Sequence, residues 1–301
     1  MLPCTLLLLI TSAALGQELF IIPKWKRDDL RTMYITRTQT ITAVNAEGER
    51  MDTIIPYNTS AKVRVYDITP EVVMISIDHE NMVLPMLKPY FETGFPSEVE
   101  PFRRMIIRYE VDRDSGAPRL LNATDLREFV KRAADHCLRA LRKKDAAIAQ
   151  QVEASLQPLL HRFENESMIE SSIDQQVGFL FEAFGKGLAQ GSPVEFADMF
   201  FAPFTQADSA HINTTYTLMS RSDDQAELKI VKKLADRPVP VKKTASSPTP
   251  TDRSVGIETW QQQQLITLDL RTTWPLKVTT TSRMEITNGI SASEETTVQF
   301  R

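Results

Sequence analysis

"RTMYITRTQTITAV", residues 31–44, decides how the rest of the chain is read. Tyr34, Thr36, Thr38, Thr40 and Thr42 fall on one parity; Met33, Ile35, Arg37, Gln39 and Ile41 fall on the other. A period of two in Thr and β-branched residues is the pattern of a half-exposed strand. "NAEGER" follows, and its Asn45 and Gly48 mark a hairpin turn. Met51–Ile55 then reads as a returning strand. "SAKVRVYDI" (60–68), "EVVMISI" (71–77) and "RRMIIRYEV" (103–111) continue the pattern. Five strands with short links imply an antiparallel meander, because parallel neighbours need long crossovers.

"LPMLKPYFETGFPSEVEPF" (84–102) interrupts the strands, and its four prolines preclude a long regular element. Its Met86, Leu87, Tyr90, Phe91, Phe95 and Phe102 suit either the wall of a ligand cavity or a loop packed across the end of a sheet. The period then changes. In "LLNATDLREFVKRAADHCLRALRKKD" (120–145), Leu126, Phe129, Val130, Ala133, Cys137, Leu138 and Leu141 recur every three or four residues, which is an amphipathic helix. Asn122 or Thr124 is placed to cap it, and Arg139, Arg142, Lys143 and Lys144 suit its C-terminal end. A second helix is expected from about Ala146 to Phe163, bent or split at Pro158. A third is read through Ile169, Ile173, Val177, Leu180, Phe181, Phe184 and Leu188, and the sheet is its natural partner.

After "GSP" (191–193), strand-type segments return at 212–220, 225–234, 258–270, 276–286 and 295–300. Between them, 236–254 carries Pro238, Pro240, Pro248 and Pro250 among Ser, Thr and charge, and reads as an exposed loop. One internal echo stands out. "VDRDSGAPRL" has Pro118 six residues after Asp112, and "LDLRTTWPLK" has Pro275 six residues after Asp269. Both suit strand–turn–strand corners.

Charged content of 25% and hydrophobic content of 42% are those of an ordinary globular chain. A net charge of −4 argues against electrostatic capture of nucleic acid or anionic membranes. The opening "MLPCTLLLLITSAALGQELF" has an apolar run from Thr5 to Leu15, too short for a bilayer span at roughly 20 residues. It matches a signal-peptide core, with Ala14 and Gly16 placed for cleavage before Gln17, although no basic residue precedes it. A retained anchor, a buried segment or a wrong start codon are the other readings. After cleavage only Cys137 remains, so no disulfide forms within the chain, which suits a bacterial envelope protein. Asn-x-Ser/Thr patterns at Asn58, Asn122, Asn165 and Asn213 point the other way, as acceptors for glycosylation in a eukaryotic secretory protein.

Catalytic patterns are missing. The four histidines form no H-x-x-x-H pair, and there is no G-x-S-x-G elbow. Asp78–His79–Glu80, a cluster at a strand end, could hold a metal but reads as a solvated turn. Cys137 reads as a small core residue, and "FGKGLAQGS" as a helix terminator rather than a phosphate loop.

The order of elements, with "YEVDRDSG" ahead of the first helix and "LDLRTTWPLK" among the later strands, resembles exported bacterial proteins grouped as a domain of unknown function. The resemblance spans most of the mature chain and implies no catalytic residues. At fold level it is similar to periplasmic lipoprotein carriers and other half-barrel lipid binders.

The expectation is an α+β fold. Residues 1–16 are the signal peptide, and residues 17–301 form one domain. In it a curved antiparallel sheet, in two strand-rich parts, packs on a central set of about three α-helices at about 124–190. The expected function is that of an exported envelope protein, periplasmic or secreted, without evident catalysis, binding an apolar ligand such as a lipid. Phe181, Phe184, Tyr90 and Phe91 are its candidate lining. A structural or protein-interaction module with a filled core is the alternative, and a hydrolase the third reading. No cofactor, no metal, no nucleic acid and no transmembrane segment after cleavage are expected.

Overall fold

The computed structural model describes residues 18–44, 48–80, 102–162, 164, 166–200, 210–235, 257–286 and 290–301. The first strands in chain order are β1 (Leu19–Phe20), β2 (Leu30–Val44), β3 (Arg50–Ile68), β4 (Val72–Glu80), β5 (Arg104–Asp112) and β6 (Pro118–Leu120). The helices follow: α1 (Ala123–Lys144), α2 (Ala146–Arg162), α3 (Glu166–Val177) and a 3-10 turn at Gly178–Leu180. Then come β7 (Gly187–Leu188), β8 (Val194–Phe200), β9 (Ala210–Arg221), β10 (Gln225–Leu234), β11 (Ile257–Asp269), β12 (Pro275–Ile286) and β13 (Ile290–Phe300).

The α+β expectation is corrected here. One eleven-stranded antiparallel sheet dominates, in the order β6-β5-β4-β3-β2-β13-β12-β11-β10-β9-β8. The two strand-rich parts belong to this one sheet. They fuse where β13 pairs with β2, from Phe300↔Met33 to Ser291↔Thr42. The helices are subordinate. α2 meets the main core through half-buried Leu160; with α1 it closes a small core of its own from Ala134, Cys137, Leu138, Leu141, Ala149 and Val152. Burial pushes the Cys137 thiol up to about 12, as for an inert core residue.

Local departures have local causes. The expected strands at 51–55 and 60–68 are one strand, β3. Pro56 is tolerated because β4 begins its pairing only at Ala61↔His79, leaving no described neighbour on that edge. α2 runs through Pro158 without splitting. Asn122 sits at the N-cap of α1 but does not cap it with its side chain. Its Oδ1 accepts from Arg108 N (2.9 Å) and its Nδ2 donates to Ile106 O (2.9 Å), extending the sheet beside β5. α3 stops at Val177, not Leu188. The helical spacing persisted in the sequence because the 3-10 turn and the turn after it also bury Leu180, Phe181 and Phe184, with Phe181 N bonding Gly178 O and Phe184 N bonding Phe181 O.

The two echoed corners are the same structure. Asp112 N donates to Ala117 O at 3.0 Å, and Asp269 N to Trp274 O at 3.0 Å. Gly116 and Thr273, four residues after each Asp, both have positive φ, at 68° and 58°. Each aspartate accepts backbone amides with Oδ1: Asp112 from Ser115 (2.7 Å), Asp269 from Arg271 (2.8 Å).

Candidate functional site

The sheet face that meets α3 and the turn after it is here the inward face, and Val44 and Arg50 mark its upper end. Strand alternation sorts the inward residues into tiers. The lowest is apolar and in register across six strands: Ile35, Val298, Val278, Ile266, Leu228 and Leu218. Below it, Trp25 stacks on Trp274 (centroids 4.4 Å apart) and meets Phe184 edge-on at 5.3 Å. Phe181 is 4.9 Å from Tyr109. The Tyr109 hydroxyl donates to Asp174 on α3 (2.7 Å), and burial pushes its pKa far up.

Above the apolar tier the inward face turns polar for two rows. Arg37, Thr296, Thr280 and Gln264 pair in one; Gln39, Glu294, Ser282, Gln262, Lys232 and Thr214 pair in the next. Arg37 Nε lies 3.4 Å from Glu294 Oε1. Lys232 makes an ion pair with Glu182, the two side chains only 17% and 15% exposed. Lys186 Nζ lies 4.6 Å over the Tyr216 ring and 5.9 Å from that of Phe196, and burial lowers its pKa. A last tier is apolar again, with Ile212, Trp260 and Met284 buried together and Leu234, Ile257 and Ala292 against them.

Phe181 and Phe184 are 4% and 2% exposed and lie in the aromatic cluster. Tyr90 and Phe91 lie outside the described residues. Asp78, His79 and Glu80 are not a solvated turn. They alternate on β4, with His79 buried inward and Asp78 outward against Arg104. His79 Nδ1 meets Glu80 O at 2.8 Å. Among the described residues no three His, Cys, Asp or Glu side chains gather as metal ligands. An open groove of about 490 Å³ on the outward side of β8–β10 is lined by threonines with Lys229, Lys233, Glu195 and Asn213.

Sequence reasoning missed Arg37, Thr214, Lys232 and Gln264, and the turn residues Glu182 and Lys186. A signal for the strand residues existed. In "LKIVKK", Lys232 shares the parity of Leu228 and Ile230; in "TWQQQQLITL", Gln262 and Gln264 share that of Trp260, Ile266 and Leu268. Polar residues on the core parity, flanked by apolar ones, mark a buried polar belt.

No family model and no curated protein matches the chain. A solved structure similar to it is an outer membrane channel from Pseudomonas putida F1. It is 8% identical, covers 95% of this chain and 98% of its own, and superposes with a TM-score of 0.19. No helix among the described residues is long and apolar enough to cross a membrane.

Proposed function

We propose that this chain is an exported, non-catalytic envelope protein that binds an amphipathic ligand such as a lipid on the inward face of its sheet. The observation that carries the reading is the tiering of that face. A belt of Gln, Thr, Ser and charged residues lies between an apolar floor and the apolar Ile212–Trp260–Met284 group. Gln264, Thr296 and Thr214 are buried and the rest of the belt is half-buried; polar groups placed there are costly unless something satisfies them, so such a belt calls for a role. In this reading Phe181 and Phe184 form the floor beneath the ligand. The polar belt receives its head, and the upper apolar group its hydrocarbon. Export rests on the apolar run from Thr5 to Leu15.

A second reading has its own support. The Trp25–Trp274–Phe184–Phe181 packing is that of a filled core, as in a structural or interaction module. The hydrolytic reading gains nothing, since Asp78 faces away from His79. Mass spectrometry of the mature protein, native and after solvent extraction, separates the first two. A stoichiometric lipid is the expected result. A clean apo mass that no added lipid shifts overturns the binding reading in favour of the module.

A further inference from the structure

Three oxygens over β9–β11 lack donors. Gln264 Oε1, Thr214 Oγ1 and Glu182 Oε2 are buried without a hydrogen-bond partner among the described residues. Gln264 and Thr214 are 5% and 1% exposed. Native folds leave few buried polar groups unmade, because each is a net cost to folding. Register sets their relation. Gln264 pairs with Ile230, which pairs with Tyr216; Thr214 is the next inward residue along β9 and pairs with Lys232. With strands about 4.8 Å apart and alternate residues about 6.8 Å apart, the two Cα atoms lie roughly 12 Å from each other. Glu182 meets the sheet between them, through Lys232 on the intervening strand.

The chemistry these three oxygens call for is specific. A carboxylate and an amide oxygen only accept, and the Thr hydroxyl both accepts and donates. A bare anion would bring no donors. A ligand ammonium would bring them, but into the field of Lys232 and Lys186. Neutral hydroxyls donate to the three oxygens and accept from the two lysines. Beside them, on the inward parity of edge strand β8, Phe196 is 44% exposed and stands edge-on to Tyr216 at 5.5 Å. Its open aromatic surface can cover the C–H face of a ring.

We propose that the inward face of β9–β11 binds a polyhydroxylated, sugar-type group held by Glu182, Thr214, Gln264 and Lys232 and flanked by Phe196. It rests on the binding reading above and names the head of the ligand. The group belongs either to a free saccharide or to a glycolipid.

The test is calorimetric titration of the full mature chain with three probes. They are octyl β-glucoside and octyl phosphocholine, both below their micelle concentrations, and a set of methyl glucosides, galactosides and mannosides. The glucoside detergent is expected to bind at least tenfold more tightly than its phosphocholine counterpart. Thr214→Val and Gln264→Leu should each weaken it at least tenfold without lowering Tm, because each removes an unpartnered buried oxygen. Methyl glycosides binding as tightly as the detergent assign a free saccharide as the source; binding that needs the octyl chain assigns a glycolipid. Equal affinity for the two detergents overturns the sugar site and leaves lipid binding standing. Variants that lower Tm and leave affinity unchanged also overturn it, by making the oxygens structural. Silence with every probe overturns both.

Discussion

His79 is held neutral by the fold. Burial pushes its pKa down to about 4 from the ordinary 6.5. Between those values the unfolded chain binds a proton that the folded one refuses, so stability rises with pH across that window. The contribution is fully present above pH 6.5 and is lost as the pH falls toward 4. A shift of this size is worth about 3 kcal/mol. Urea unfolding of the wild type and His79→Leu from pH 7.5 to 4 measures it, and the difference curve should slope only in that window. Thr273 is a second residue held against its preference. A β-branched side chain at φ 58° is strained, and it stays because its Oγ1 accepts Lys24 N at 2.8 Å beside the Trp25–Trp274 stack. Thr273→Ala keeps the strain and loses the bond, a loss of about 1–2 kcal/mol by thermal unfolding. Thr273→Gly relieves the strain and should fall within about 1 kcal/mol of the wild type. Neither effect is legible in the sequence. Position 79 reads as a strand end until its neighbours are known, and a positive φ leaves no mark on a threonine.

At the scale of elements, the corners were the most readable long-range feature. Asp, a left-handed residue four later and Pro six later are local requirements, so the sequence carries them twice. α3 was less readable, because a 3-10 turn and a tight turn can prolong a helical burial pattern. Gly185 shows what ends that pattern. At φ 70° its missing side chain lets the turn lie against the Ser115 carbonyl, where a methyl group would overlap the oxygen. Gly185→Ala is expected to cost about 3 kcal/mol or more, read by denaturant unfolding. Phe184→Ala next to it should cost about 3–5 kcal/mol; a loss below 1 would contradict its place in the core. α2 differs, since its buried residues meet α1 rather than the sheet. Its amides should exchange with deuterium sooner than those of β4, and Leu141→Ala should widen that gap while leaving β4 protection unchanged.

For the whole molecule, alternation revealed strands but not their order. Period two says which residues share a face; it does not say that β13 lies beside β2, because that pairing depends on the register of strands far apart in sequence. The polar belt was legible strand by strand, as polar residues on the core parity, but its rows exist only once Gln264, Thr280, Thr296 and Arg37 come into line. Val298, 1% exposed in the lowest tier, belongs to that seam. Val298→Asp should unfold both meanders together, with circular dichroism and tryptophan fluorescence tracing one transition. Two separate transitions would mean that the halves are independent.

The seam also sets when the sheet can be finished. β2 waits for a partner that leaves the ribosome more than two hundred residues later. The contact order of the core is therefore high, and folding belongs to the slow, millisecond-to-second class of large β-topologies. Until β13 arrives, both meanders present unpaired edges, which holdase chaperones recognise and which aggregate when left alone. A sheet that only its last strand can complete postpones folding by topology alone.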